Sequence, residues 1–226
     1  MDDFEAFLNQ GGIVEPDDAM PDEYRIAVFR FIELHANSEQ MGGLTERDWI
    51  PRTPGLRPKM AVIAKTQDEF GHAHLLYMVA ADMAIKTSQE MIEDLYAGKS
   101  RFHNVFHYRA KTWGHQVGSA FLVEAAAIAS QQAVFKNCSY GPYRRILKRI
   151  IAEEGFHMRL GKERMMRSAQ GTKMRRDRFE QAIDAWWWRA LHLFGPDSKP
   201  NDMLLRWHMK SERNEILRDR WVQKFV

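Results

Sequence analysis

Ala64-Lys-Thr-Gln-Asp-Glu-Phe-Gly-His72 and Glu153-Glu-Gly-Phe-His157 are the two stretches that decide the fold. Each contains a Glu-x-x-His pair, Glu69 with His72 and Glu154 with His157. Each pair follows a further glutamate by 30 residues, Glu39 in the first set and Glu124 in the second. The two sets are offset by 85 residues throughout, and the same offset relates Asp68 to Glu153. Residues three apart share a helix face, so each pair can present both side chains to one ion. Four carboxylates and two imidazoles in matched halves are the ligand complement of a carboxylate-bridged di-metal site in a four-helix bundle.

With 16 Glu and 9 His in 226 residues, chance alone predicts about 0.6 Glu-x-x-His, so one such pair carries little information. Two pairs, each the same distance after a glutamate, form a pattern. Their surroundings are apolar: Ala61, Val62, Ile63 and Ala64 precede Glu69, and Phe121, Leu122 and Val123 precede Glu124. Burying bare carboxylates is very unfavourable, and two Fe(II) ions would neutralise the four charges. An oxygen-rich site with one imidazole per metal suits iron or manganese, whereas zinc prefers more nitrogen or sulfur. Asp68 and Glu153 are expected to accept the free ring N–H groups of the two histidines across the bundle. Lys65 lies four residues before Glu69 and seven before His72, on the ligand face; the spacing leaves open whether it is a surface lysine or a cation beside the carboxylates. His35 reads as packing, and His103, His107 and His115 as loop or helix-start residues.

Gly and Pro punctuate the rest of the chain. Pro21 followed by Asp22 and Glu23 predicts a helix start, and Gly42-Gly43 its stop. Residues 45–55, with Pro51 and Pro54, read as loop, and Pro58 opens a second long helix expected to reach about residue 85. A short helix over 88–96 leads into an irregular His-rich stretch over 98–108. A third long helix covers roughly 112–136, and Ser139-Tyr-Gly-Pro142 breaks the chain before a fourth that ends near Gly171. A fifth over 175–194 carries Trp186, Trp187 and Trp188, which read as packing rather than as a substrate platform. A last helical segment runs from about 201 onward. No strand alternation or domain boundary is visible, so the expectation is one all-α domain over 1–226. Its bundle core would span about 21–171, with C-terminal helices over about 174–226.

A chain of this length buries a substantial core. No stretch approaches the ~20 uninterrupted apolar residues of a membrane span, and the acidic start lacks the features of a secretory signal. The single cysteine, Cys138, cannot form an internal disulfide, which fits a reducing cytoplasm. Net charge is +3, yet basic residues crowd the stretch from Arg144 to Arg178. This is either a solvated face or a patch for an anionic partner, such as an acidic partner protein or the phosphates of a coenzyme A thioester. No nucleic-acid motif accompanies it.

Several motifs together are more specific. His35-Ala-Asn-Ser-Glu39, Ala64 to His72, Ser139-Tyr-Gly-Pro-Tyr143, Glu153 to His157, Ala169-Gln-Gly171 and Phe194-Gly-Pro196 resemble the catalytic-subunit family of ring-1,2-phenylacetyl-CoA epoxidases, bacterial multicomponent di-iron monooxygenases. The match is collinear from about Pro16 to Pro196. The resemblance implies a ferritin-like four-helix bundle with two irons held by Glu39, Glu69, His72, Glu124, Glu154 and His157, and with Lys65 as the active-site lysine. It implies an aromatic acyl-CoA substrate epoxidised with O2, electrons from NADPH through a separate flavin/iron–sulfur reductase, and a ligand-poor ferritin-like sister subunit in an oligomeric complex. Glu124 stands where family members can carry Asp, and those members extend beyond the position of Val226. Two other readings stand beside this one. A ferritin-like oxidase or oxygenase with a different substrate would use the same metals, although the single cysteine excludes a rubredoxin-type Cys-x-x-Cys centre. A non-catalytic scaffold subunit would have no reason to keep six matched ligands.

Overall fold

In a computed structural model, which describes residues 2–196 and 199–225, the chain is all-α. The helices are α1 (Asp2–Asn9), α2 (Asp22–Arg47), α3 (Leu56–Ala81), α4 (Ser88–Tyr96), α5 (Trp113–Asn137), α6 (Gly141–Ala169), α7 (Lys173–Leu191), α8 (Lys199–Arg206) and α9 (Asn214–Gln223). The four long helices α2, α3, α5 and α6 form a ferritin-like bundle. α2 packs on α3 and α5 on α6, which are the two hairpins that the 85-residue offset implies, and α3 meets α6 between them. The hairpins join along α3 and α6, which run antiparallel, because residues 68 and 72 of one face 157 and 153 of the other.

The first hairpin ends in one apolar cluster, where Tyr24, Ile32, Leu76, Tyr140 and Leu147 pack with Trp207. Around the second hairpin Phe121 and Leu122 pack with Trp186, Phe194, Leu217 and Trp221 from the C-terminal helices. The additional helices therefore cover the bundle rather than extend from it. Of the tryptophan triplet, Trp186 is buried and Trp187 lies 5.0 Å from Trp221, as packing residues should, while Trp188 is 68% exposed. The Ser139-Tyr-Gly-Pro turn is itself a docking point. Ser139 Oγ donates to the Trp207 carbonyl, and Val14 bridges to the chain beside Tyr140. α5 is long and apolar enough to cross a membrane, but 67% of its most apolar window is buried as the central helix of the bundle.

Several boundaries differ from the expectation. α2 does not stop at Gly42-Gly43 but runs through both to Arg47. These glycines permit close approach of α3: a Cβ at Gly42 would meet Glu69 Oε2 at 2.9 Å, and one at Gly43 would meet the Phe70 ring at 2.8 Å. Tertiary contact thus outweighs the ~1 kcal/mol helix penalty of each glycine. α3 begins at Leu56, two residues before Pro58, after Gly55 turns the chain at φ +83°. Pro58 sits in the first turn, where its missing N–H has no intrahelical partner to lose. The same helix ends at Ala81 rather than near 85, and Ala84 has φ +55°. The fifth predicted helix ends at Leu191 in a 3₁₀ turn, His192–Phe194. The last predicted segment is two helices, separated where His208 adopts φ +55°. α1 was not anticipated; its Phe4 packs on Tyr24 and Trp207.

Two helical glycines make a paired test of this packing. A Cβ at Gly161 would lie 2.9 Å from the Ala120 carbonyl oxygen, whereas nothing lies within 4 Å of one at Gly71. Backbone cannot yield as a side chain can, so Gly161→Ala should lose stability by about 1–3 kcal/mol from overpacking. Gly71→Ala should gain about 0.5–1 kcal/mol from helix propensity alone. Thermal unfolding of the two variants should therefore move in opposite directions.

Candidate metal centre

Each long helix contributes to one buried cluster. α2 supplies Glu39, α3 Glu69 and His72, α5 Glu124, and α6 Glu154 and His157, and all six are buried. Their donor atoms form two groups, each compact within 4.8 Å: Glu69, Glu124, Glu154 and His157 in one, and Glu39, His72 and Glu154 in the other. Glu154 belongs to both. One of its oxygens lies 3.3 Å from His72 Nδ1 and the other 3.3 Å from His157 Nδ1.

The outward nitrogens of both histidines meet the expected carboxylates. His72 Nε2 donates to Glu153 at 2.8 Å, and His157 Nε2 to Asp68 at 2.9 Å. The pairing is crosswise between α3 and α6, so each histidine is fixed by the opposite helix. This holds both Nδ1 atoms toward the carboxylates. His72 Nδ1 is buried without a hydrogen-bond partner, and Glu39 Oε2 stands 3.4 Å away. An orphaned imidazole nitrogen facing carboxylate oxygens, with its tautomer set by an outer carboxylate, is the donor arrangement a divalent metal takes. The residues therefore fit a two-metal centre.

Lys65 is no surface residue. It is buried, with its ammonium 2.9 Å from Glu46 Oε1, 3.7 Å from Glu69 Oε1 and hydrogen-bonded to Glu124. Glu46, in turn, accepts from Gln116 at 2.8 Å. Glu46 escaped the sequence reading because the helix was expected to stop at Gly42-Gly43. Once α2 continues, Glu46 lies two turns beyond Glu39 on the same face. The five buried carboxylates and one ammonium leave four negative charges, the number that two divalent ions neutralise. His35 also does more than pack. Its Nε2–H donates to Glu39 Oε1 at 2.8 Å, and Nδ1 lies 2.8 Å from the Tyr143 hydroxyl. His103 starts the 3₁₀ turn Asn104–His107 and His115 lies in the first turn of α5, both as expected.

Without metal, protons hold this cluster together. Burial would raise Glu39, but the hydrogen bond from His35 and the His72 ring facing it hold it down to about 2. Burial pushes Glu69 well above the carboxylate range against the pull of Lys65, and burial with the neighbouring Glu154 charge does the same to Glu124. Glu154 stays ionised despite burial, through bonds from Glu124 and His157 and the His72 ring facing it. His72 is driven up to about 12 because Glu154 and Glu39 outweigh its desolvation. Its folded value lies above the unfolded 6.5, so its contribution to apoprotein stability is complete below pH 6.5 and is lost as pH rises toward 12. Across that window protons compete with metal. Titration of Mn(II) into apoprotein should release at least one proton per chain, read as a dependence of the calorimetric heat on buffer ionisation enthalpy, and affinity should rise with pH.

A cavity of about 950 Å³ opens onto the carboxylates from the α2–α5 side. Glu39, Glu46, Lys65, Glu69, Glu124 and Glu154 form one wall, while Leu34, Phe102, Phe106, Val123 and Phe194 supply apolar surface. Exposed Arg47, Arg52, Arg109 and Lys111 also line it. Among the described lining residues, none is a lysine or arginine from the stretch between Arg144 and Arg178. The basic side chains of that stretch therefore do not face this cavity.

The chain matches the family described as phenylacetic acid catabolic protein over residues 1–226. It is 38% identical over 226 residues to a 1,2-phenylacetyl-CoA epoxidase subunit from Escherichia coli (strain K12), covering 99% of this chain and 72% of that protein. With this match lying over the paired Glu-x-x-His cluster and its bundle, the chain belongs to the phenylacetic acid catabolic protein family.

Proposed function

We propose that this chain is the catalytic subunit of an O2-dependent di-iron monooxygenase that epoxidises the ring of phenylacetyl-CoA or a related aromatic acyl-CoA. The carrying observation is the cavity wall itself, in which four proposed ligand carboxylates and Lys65 face an apolar space large enough for an aromatic acyl group. Glu39, Glu69, His72, Glu124, Glu154 and His157 would hold the two irons, with manganese the competing metal, and Asp68 and Glu153 would orient the histidines. When bound, the irons supply O2 activation and oxygen transfer. The protein's part is to bring the ring against the carboxylate wall, exclude water with Phe102, Phe106 and Phe194, and keep a proton on Lys65 Nζ beside Glu46 and Glu124. Arg47, Arg52, Arg109 and Lys111 suit the phosphates of coenzyme A.

Epoxidation of the ring consumes O2, two electrons and two protons and forms one water. In this reading the electrons come from NADPH through a separate flavin/iron–sulfur reductase, and the chain works in the cytoplasm beside a ferritin-like sister subunit. The test is metal analysis of protein purified anaerobically from iron-supplemented cells, followed by its optical spectrum after O2. About two irons per chain, an oxygen-dependent chromophore and, with reductase, conversion of phenylacetyl-CoA to its ring epoxide are expected from a carboxylate-bridged di-iron site. A chain that binds no metal under these conditions would overturn the proposal.

A further inference from the structure

The two histidines of the centre are turned away from the cavity. Neither His72, His157, Asp68 nor Glu153 lines it. Their outward nitrogens lead to the opposite side of the bundle, where α3 and α6 run side by side. There Glu153 and Asp68 accept from them with side chains 31% and 35% exposed. From each histidine, a single carboxylate separates the ring from solvent.

The surface over these two pairs has a distinct make-up. On α3 the stripe Met60, Ala64, Gln67, Gly71, His74 and Met78, spaced at helical intervals, is exposed, and nothing beyond its own helix backbone stands within 4 Å of where a Gly71 side chain would begin. On α6 Phe156 is exposed, with the Arg159 guanidinium 6.0 Å over its ring. Arg149 holds Glu153 at 3.0 Å on the same stripe. α6 as a whole carries eight Lys and Arg against three Glu, one of which, Glu154, is buried in the centre. Exposed methionine and phenylalanine among small and polar residues, with Arg149 and Arg159 on the α6 side, is the mixed make-up of a transient protein interface, and the basic excess of α6 selects an acidic partner.

Resting on the di-iron reading above, we propose that this α3–α6 face docks an acidic electron-carrying protein, which delivers electrons through the His72–Glu153 and His157–Asp68 pairs. Substrate then enters from the α2–α5 side and electrons from the other, so neither blocks the other. Per turnover one two-electron flavin carrier, or two one-electron iron–sulfur carriers in succession, must supply two electrons. With two protons from solvent these reduce one atom of O2 to water, while the other atom adds across a ring carbon–carbon bond.

The probe is an acidic [2Fe–2S] ferredoxin. Binding of its oxidised form to the metal-free chain is measured by calorimetry at low and high salt. Its pre-reduced form is then mixed with metal-loaded chain and reoxidation followed by stopped flow. Gly71→Glu and Arg159→Glu place negative charge on the face without touching the carboxylate–histidine pairs. Each should weaken binding and slow reoxidation at least tenfold, with metal content and reduction by dithionite with methyl viologen unchanged. Gly71→Ala and Arg175→Glu, the latter on α7, which packs mainly on α5, should behave as wild type. Unchanged ferredoxin binding in both charge-reversal variants overturns the proposal. So does dissociation of an oligomer by Gly71→Glu with ferredoxin binding intact, because the face would then be a contact between copies. Absence of metal from the wild-type chain instead overturns the di-iron reading, whatever the binding result.

Discussion

Replacing Glu154 by alanine should empty the centre of both ions at once, from about two metals per chain to fewer than about 0.2, with turnover at background. Glu154 is the residue common to the two donor groups, and its two oxygens face the two histidine nitrogens at equal distance. Each ion would lose a carboxylate, and the centre would lose one of the four charges that balance two divalent cations. Even outer partners of metal ligands alter affinity by about 10–100-fold, so a shared ligand should do more. Asp68→Asn supplies the graded comparison: the ligands stay, His157 loses its charged acceptor, and affinity should fall by about 10–100-fold without emptying the site. Both are read by metal analysis after dialysis against a chelator of known affinity. Wild-type metal content in Glu154→Ala would remove Glu154 from the centre.

Lys65→Met should separate stability from metal binding. In the apoprotein Lys65 is the buried cation that faces Glu46, Glu69 and Glu124. Burial alone would depress its pKa, yet Glu124 and Glu46 hold it well above the usual lysine value, so it remains charged. Removing one partner of a buried ionic network costs about 3–5 kcal/mol, because the remaining charges are left without compensation. For a chain of this size that is a fall of roughly 6–20 °C in the apoprotein melting temperature. The double variant Glu46→Leu with Lys65→Met should recover most of the loss, since an apolar pair replaces an ionic one. Metal content should stay near wild type, because Lys65 is not among the grouped donors. Turnover should fall at least tenfold, about 1.4 kcal/mol of barrier. Unchanged turnover in loaded Lys65→Met would make the lysine a bystander of the chemistry.

Much of this centre was legible in residue spacing. A helix repeats every 3.6 residues, so Glu69 with His72 and Glu154 with His157 must each share a face. The matched 30-residue separations then brought Glu39 and Glu124 into the same reading. Asp68 and Glu153 followed from their adjacency to the candidate ligands. Glu46 was hidden by a local rule that failed: two consecutive glycines usually end a helix, but here they admit the ring of Phe70 and the carboxylate of Glu69. His35 lies one turn before Glu39 on α2, so that contact was within reach of spacing, but its second partner, the Tyr143 hydroxyl, is on α6 and no local repeat records it.

The amino-acid sequence by itself determined the all-α bundle, its two hairpins and the six chemical groups they carry, since periodicity and spacing are local properties of a helical chain. Only the tertiary structure decided how those groups are used. It set Lys65 among three glutamates, crossed Asp68 to His157 and Glu153 to His72, and opened the cavity on the α2–α5 side while turning the histidines to the α3–α6 side. These are contacts between helices distant in the chain. They depend on how closely two surfaces approach, which no repeat within one helix records.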